Sequence, residues 1–258
     1  MPHEKINGIE SFIKIDGTGE SLVFIHGLGI DSSIWDDQTQ IFANSYETVC
    51  YDLRGHGLSD APETGYSYRD YSDDLVDLIE VCCIPPVHLV GLSMGGAIAF
   101  KYARENPEKV RSLTLIGTHL AGYTAFEAWP NLYKIAKGEG REAAREAWKN
   151  FRLFESVKFD PDRWEKLCRM IDNFSCAPWL DPNPKYGDTD DLESCFEVTS
   201  PVLLISGTGD SDFRPVSELF SNRLADSRFA SINSGHLANF ESPEVVNEAM
   251  AEFLRGVG

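Results

Sequence analysis

The chain has 258 residues, 42% hydrophobic and 25% charged, which suits one large α/β domain, with or without an inserted subdomain, and a well-buried core. Lys and Arg number 23 against 41 acidic residues, and the formal charge of −18 repels nucleic acid and anionic lipid, so neither is an expected partner. No apolar stretch approaches the length of a bilayer span, and Met1-Pro2-His3-Glu4-Lys5 lacks the basic start and apolar run of a signal peptide, so a cytoplasmic protein is expected.

Residues 5–15 alternate polar and apolar side chains, the pattern of an antiparallel edge. Short apolar runs then recur at 22–25, 48–51, 87–90, 113–116, 202–205 and 229–232. Their length and their Gly, Pro or Asp borders predict strands buried on both faces. Helical patterns fall between them at about 35–44, 67–83, 94–105, 215–224 and 243–256. Alternating strands and helices imply a mostly parallel sheet covered on both sides.

The rhythm breaks between 119 and 197, where the periodicity is helical and no convincing strand appears. Residues 140–154 read as one amphipathic helix, and 161–173 as another opened by Pro161. Residues 177–189, rich in Pro, Asp and Gly, read as a loop. The expected organisation is a core of 1–118 and 198–258 with a helical cap of 119–197 over the carboxyl edge of the sheet. Six cysteines (50, 82, 83, 168, 176 and 195) form no C-x-x-C and no metal-site spacing with histidine, so they read as reduced packing thiols.

Residues 91–95, Gly-Leu-Ser-Met-Gly, follow a strand pattern and precede an alanine-rich helical one. A serine hydroxyl is a poor nucleophile until a sharp turn presents it and a base deprotonates it. Gly91 and Gly95 leave the room such a turn needs around Ser93. Three further signals converge on that serine. His26-Gly27-Leu28-Gly29 ends an early strand in a glycine-rich loop, so the Leu28 N–H is a candidate partner of the Met94 N–H for a developing oxyanion. Thr208-Gly209-Asp210 ends a late strand in an acid, with Asp212 as the alternative, and no acid follows the strand at 113–116. Ser234-Gly235-His236 follows the last strand. The order Ser93, Asp210, His236 is that of a nucleophile, an acid that orients the base, and the base. Of the other histidines, His3 is terminal, His88 lies in a strand, and His26 and His56 sit in glycine turns as structural residues. His119, at a strand end beneath the cap, is a candidate pocket residue, as are Trp129 and Trp164 among the many cap aromatics.

These motifs, with Trp35 and Asp52-Leu53-Arg54-Gly55-His56-Gly57-Leu58-Ser59, resemble the α/β-hydrolase fold family, of the small-cap esterase and enol-lactone hydrolase type. The resemblance spans nearly the whole chain. It implies an eight-stranded, mostly parallel sheet and an acyl-enzyme mechanism that needs no metal or organic cofactor. It assigns 52–59 to a structural turn. Serine at 93 departs from the dehalogenases and epoxide hydrolases of the fold, which carry aspartate there. Cleavage of a small to medium, largely apolar ester or lactone is the expected activity. Hydrolysis of a C–C bond in a diketone-type ring-cleavage acid, and a hydrolase-like ligand receptor with little turnover, are the alternatives. Arg141, Arg145, Arg152, Arg163 and Arg169 fall in the cap, where one of them would meet the carboxylate of a keto-acid enol-lactone or all would be solvated.

Overall fold

A computed structural model of the chain describes residues 3–120, 128–181 and 191–257, with backbone alone for 128–130. The first hairpin joins β1 (His3–Ile6) to β2 (Ile9–Gly17) through Asn7-Gly8, both at positive φ, as a tight two-residue turn requires. In β2 the buried residues Ile9, Ser11 and Ile13 alternate with exposed ones, so one face is solvated. The runs that follow are buried throughout or nearly so: β3 (Ser21–Ile25), β4 (Glu47–Tyr51), β5 (Val87–Leu92), β6 (Val110–Ile116) and β7 (Val202–Gly207). The last strand, β8 (Ser227–Ile232), is mostly part-exposed because it has a neighbour on one side alone. Its sequence suggested burial on both faces, and edge position overrides that.

The eight strands lie in the order β1-β2-β4-β3-β5-β6-β7-β8, antiparallel at β1/β2 and β2/β4 and parallel from β4 to β8. Helices cover both faces. α1 (Asp36–Phe42) packs with α10 (Pro243–Arg255), which follows the single turn α9 (Ala238–Glu241), and Gln38 donates to the Asn247 side chain at 3.0 Å. α2 (Tyr68–Cys82) packs on α3 (Met94–Glu105), whose Phe100 meets Phe220 of α8 (Arg214–Ser221) edge-on at 4.8 Å. The register pairs Ile25 with Gly91, Leu92 with Ile116, and Ile116 with Ile205. The ends of β3, β5, β6 and β7 therefore come level, and the loops after them meet at one edge.

Between β6 and β7 the described residues form helices: α4 (Ala128–Gly138), α5 (Arg141–Lys149), α6 (Pro161–Asn173) and the single turn α7 (Ala177–Leu180). Asp160 caps α6 by accepting from the Asp162 and Arg163 N–H groups, and Pro161 opens it. Two expectations are corrected here. The helix expected over 140–154 ends at Lys149. The Asn150 side chain folds back onto the Glu146 carbonyl at 2.9 Å, Phe151 is extended, and a 3-10 turn (Arg152–Phe154) buries Leu153 and Phe154. In the stretch expected as loop from 177, α7 forms because Trp179 is buried against Phe174 and Trp148, at 4.8 and 5.9 Å. All six cysteines are free thiols, and no described helix is long and apolar enough to cross a membrane.

Candidate active site

Ser93 stands between β5 and α3 with φ 54° and ψ −116°, a region that L residues avoid. Hydrogen bonds on both sides hold it there. Its N–H donates to the Ile116 carbonyl at 2.9 Å, and its own carbonyl accepts from Gly96 at 3.0 Å and His119 at 3.2 Å. The turn is tight enough that a Cβ on Gly95 would stand 2.5 Å from the His26 carbonyl oxygen and nearer still to that of Ile25. Glycine is required where the elbow crosses the end of β3.

His236 follows β8, and Asp210 follows β7. Both are buried, and Nδ1 of His236 is 2.7 Å from Oδ2 of Asp210. Burial works to raise the Asp210 pKa, but the facing imidazole, its hydrogen bond and the Phe213 N–H outweigh burial and hold it below the usual carboxylate range. The carboxylate fixes the ring so that Nε2 is the nitrogen left to act. Phe213 packs its ring 4.6 Å from the imidazole. Glu241 grips the loop from the other side, accepting from the N–H of Gly235 at 2.8 Å and of Leu237 at 3.1 Å. Asp212, the alternative acid, is turned away and paired with Arg152.

Ser93 and His236 line one cavity of about 160 Å³, with Leu28, Met94 and His119. Apolar side chains close the rest, among them Ile30, Leu92, Trp148, Phe154, Phe213 and Leu237. Among the described residues, neither the Leu28 nor the Met94 N–H is taken by a backbone carbonyl. Met94 opens α3, where helix donors lack intrahelical acceptors. Gly29, at φ 73°, lets Trp148 close over this loop, since a Cβ there would lie 2.5 Å from the indole nitrogen. An oriented imidazole and a strained serine thus line one largely apolar cavity together with Leu28 and Met94, whose N–H groups are not taken by backbone carbonyls among the described residues.

A model of the alpha/beta hydrolase family matches residues 22–249. The chain belongs to the alpha/beta hydrolase family. It is 25% identical to 3-oxoadipate enol-lactonase 2 of Acinetobacter baylyi, over 91% of this chain and 88% of that protein. It is also 25% identical to (E)-2-((N-methylformamido)methylene)succinate hydrolase of the same organism, over 92% and 91%. The crystal structure of the enol-lactonase from Burkholderia xenovorans LB400 shares the fold, with a TM-score of 0.86 over 98% of this chain and all of that one, at 22% identity. An esterase from Thermogutta terrifontis gives 0.85 over 100% and 99%, at 26% identity.

Within this hydrolase fold, the remaining sequence-picked residues divide. His119 lines the cavity. Trp164 does not: it is half-buried on α6, under the Lys158 ammonium at 5.3 Å, and Trp148 supplies the indole of the cavity wall instead. The side chain of Trp129 lies outside the described residues. None of the five arginines lines the cavity. Arg145 donates to the Phe174 carbonyl, and Arg152, Arg163 and Arg169 pair with Asp212, Asp37 and Glu165. His26 is structural, accepting from the Leu53 N–H at Nε2 and donating from Nδ1 to the Gly27 carbonyl. His56 packs on Phe174 at 4.5 Å, and Asp52 accepts from the Ser32 and Leu58 N–H groups, so the 52–59 turn is scaffold. No group of metal-ligating side chains occurs among the described residues. Tyr68, Phe213 and Glu241 carry no motif, and sequence reasoning had no signal by which to find them.

Proposed function

We propose that the protein is a serine hydrolase that cleaves a carboxylic ester or lactone of a small, largely apolar substrate through an acyl-enzyme on Ser93. The observation that carries this reading is the buried 2.7 Å contact of His236 with Asp210, at a cavity His236 shares with the strained Ser93. The enol-lactonase and esterase relatives support it. In this reading residues 119–197 act as a cap on a core of 1–118 and 198–258, and Trp148 and Phe154 keep bulk water from the acyl-enzyme. A cavity of about 160 Å³ favours the small end of the substrate range, since an engineered cavity of about 150 Å³ accepts benzene.

His236 Nε2 takes the proton of Ser93 Oγ as that oxygen bonds to the carbonyl carbon. The carbonyl electron pair moves to its oxygen, held by the Leu28 and Met94 N–H groups. Collapse breaks the bond to the alcohol, which leaves with the proton from His236. Water then gives a proton to His236 and attacks the acyl carbon, and the second collapse returns that proton to Ser93 and frees the acid. No step calls for a metal or an organic cofactor, and the expected partner is the small-molecule substrate.

A fluorophosphonate probe and a series of p-nitrophenyl esters of graded chain length test this. Covalent labelling at Ser93, with turnover highest for short acyl chains and lost in Ser93→Ala, is expected. Absence of both labelling and turnover, or activity retained in Ser93→Ala, overturns it.

A further inference from the structure

The inference concerns what the cavity recognises, and it rests on the ester-hydrolase reading above. We propose that His119, braced by Tyr68, is a specificity-determining residue. It hydrogen-bonds an uncharged hydroxyl or carbonyl of the substrate, and the site takes neutral esters and lactones over carboxylate-bearing ones.

His119 follows β6, and its backbone N–H donates to the Ser93 carbonyl at 3.2 Å, so its position is tied to the serine. Its Nδ1 lies 2.9 Å from the Tyr68 hydroxyl, and the two rings stack at 6.0 Å and 15°. That contact fixes the imidazole plane. Nε2 has no partner among the described residues, although the ring lines a cavity whose other polar side chains are Ser93, His236 and Tyr68 and whose remaining wall is apolar. A polar atom in such a place is costly unless something hydrogen-bonds it. His119 differs from the base His236 in what holds its Nδ1, a phenol hydroxyl and not a carboxylate, and the Phe213 ring packs 6.2 Å from it and 4.6 Å from His236.

Charge argues the rest. Burial pushes the His119 pKa down to about 4, so at neutral pH the ring is an uncharged donor or acceptor. No Lys or Arg lines the cavity among the described residues, and four of the five arginines of the inserted segment are committed elsewhere. The two internal segments outside the described residues contain a single basic residue, Lys185. A carboxylate entering this cavity would lose its hydration with no cation to meet it. A hydroxyl satisfies either tautomer of the ring.

The test compares kcat/KM within matched pairs. p-Nitrophenyl 3-hydroxybutanoate is set against the pentanoate, and 2-hydroxyethyl butanoate against propyl butanoate. p-Nitrophenyl hemisuccinate is set against its methyl-capped ester. Wild type is expected to prefer the hydroxylated member of at least one pair. In His119→Leu that preference falls about 10-fold, the size of one hydrogen bond lost from a buried partner. His119→Gln, which keeps a neutral hydrogen-bonding group, retains most of it, and Tyr68→Phe falls between. The hemisuccinate is expected to be at least about 30-fold poorer than its capped form, from unpaired charge burial. Preferences unmoved in His119→Leu and Tyr68→Phe, or a hemisuccinate turned over as well as the capped ester, overturn the proposal. Should His119→Leu fail to fold, a Tyr68→Phe preference equal to wild type overturns it. Flat preferences in an enzyme that fluorophosphonate labels at Ser93 sink this inference alone. The absence of both labelling and turnover sinks the ester-hydrolase reading and this inference with it.

Discussion

Arg152 holds both carboxylate oxygens of Asp212, at 2.7 and 2.5 Å, two residues beyond the acid that contacts His236. The pairing separates two neighbouring aspartates by environment. Asp212 is neutralised by a half-exposed cation from the inserted segment, whereas Asp210 is buried and spends its charge on the imidazole and on the Phe213 N–H. Asp210→Asn presents an amide where the ring N–H needs an acceptor and favours the wrong tautomer. A loss of about 10⁴ in kcat is expected by analogy with other triads. Asp212→Asn removes one exposed ion pair, and less than about a 10-fold change is expected. Measuring kcat for both variants on one ester decides the matter, and a larger loss at 212 would move the acid.

Ser93 gives a second expectation, which separates strain from chemistry. Its φ of 54° is held by the hydrogen bond its N–H donates to the Ile116 carbonyl and by those its own carbonyl accepts from the Gly96 and His119 N–H groups. Ser93→Ala keeps the strained backbone, so it should abolish turnover with little change in melting temperature. Ser93→Gly also lacks the hydroxyl but relieves the strain, so it should be more stable than wild type by about 1 kcal/mol. Denaturant midpoints of the three proteins check this. A glycine variant no more stable than the alanine one would mean that the turn stores no strain.

Much of this architecture is legible in the chain because its signals are local. β3, β5 and β7 are buried, predominantly apolar runs, and the Gly-rich ends of β3, β5 and β7 mark where the backbone turns sharply. The cavity wall is less legible. The stripe on α6 says which face is buried but not against what, so Trp164 looks like a pocket residue although its ring packs under Lys158. Trp148, in the last turn of α5, reaches the cavity through the way that helix packs over the sheet edge, which the spacing of its own segment does not encode. Tyr68 and Phe213 enter the site through the placement of α2 and of the loop before α8, which no spacing in their own segments encodes.

Four histidines make the fold sensitive to mild acid. Burial pushes His26, His56, His88 and His119 below the ordinary imidazole value, against opposing carboxylates at His26 and His88. The folded chain keeps them neutral while the unfolded chain protonates them near about 6.5, so the unfolded state binds more protons as pH falls. Stability should be full above that pH and should decline as pH drops below it, by at most about 1.4 kcal/mol per unit for each histidine. Burial holds Asp31 and Asp74 above the usual carboxylate range, which acts in the opposite sense nearer the carboxylate range. Urea midpoints at pH 7.5, 6.5 and 5.5 should therefore fall in that order, with a shallower slope in His119→Gln. Midpoints that stay level or rise on acidification contradict this account.

Glu241 tests whether the loop carrying His236 is held for catalysis or merely for folding. One carboxylate oxygen accepts from Gly235 and the other from Leu237, so the residue brackets the imidazole without touching it. Ser156 of the inserted segment crowds the same loop, close enough that a Cβ on Gly235 would clash with its hydroxyl. Glu241→Gln keeps one acceptor and turns the other into a donor facing an N–H. The ring would then sample positions off the line to Ser93. A fall of about 10-fold in kcat is expected, from one charge-assisted hydrogen bond lost, with KM changed less because the cavity wall is intact. Glu241→Ala, with both acceptors gone, should lose more in kcat and also lower the melting temperature. If Glu241→Gln destabilises the fold but leaves kcat unchanged, the bracket supports the loop and not the orientation of the imidazole.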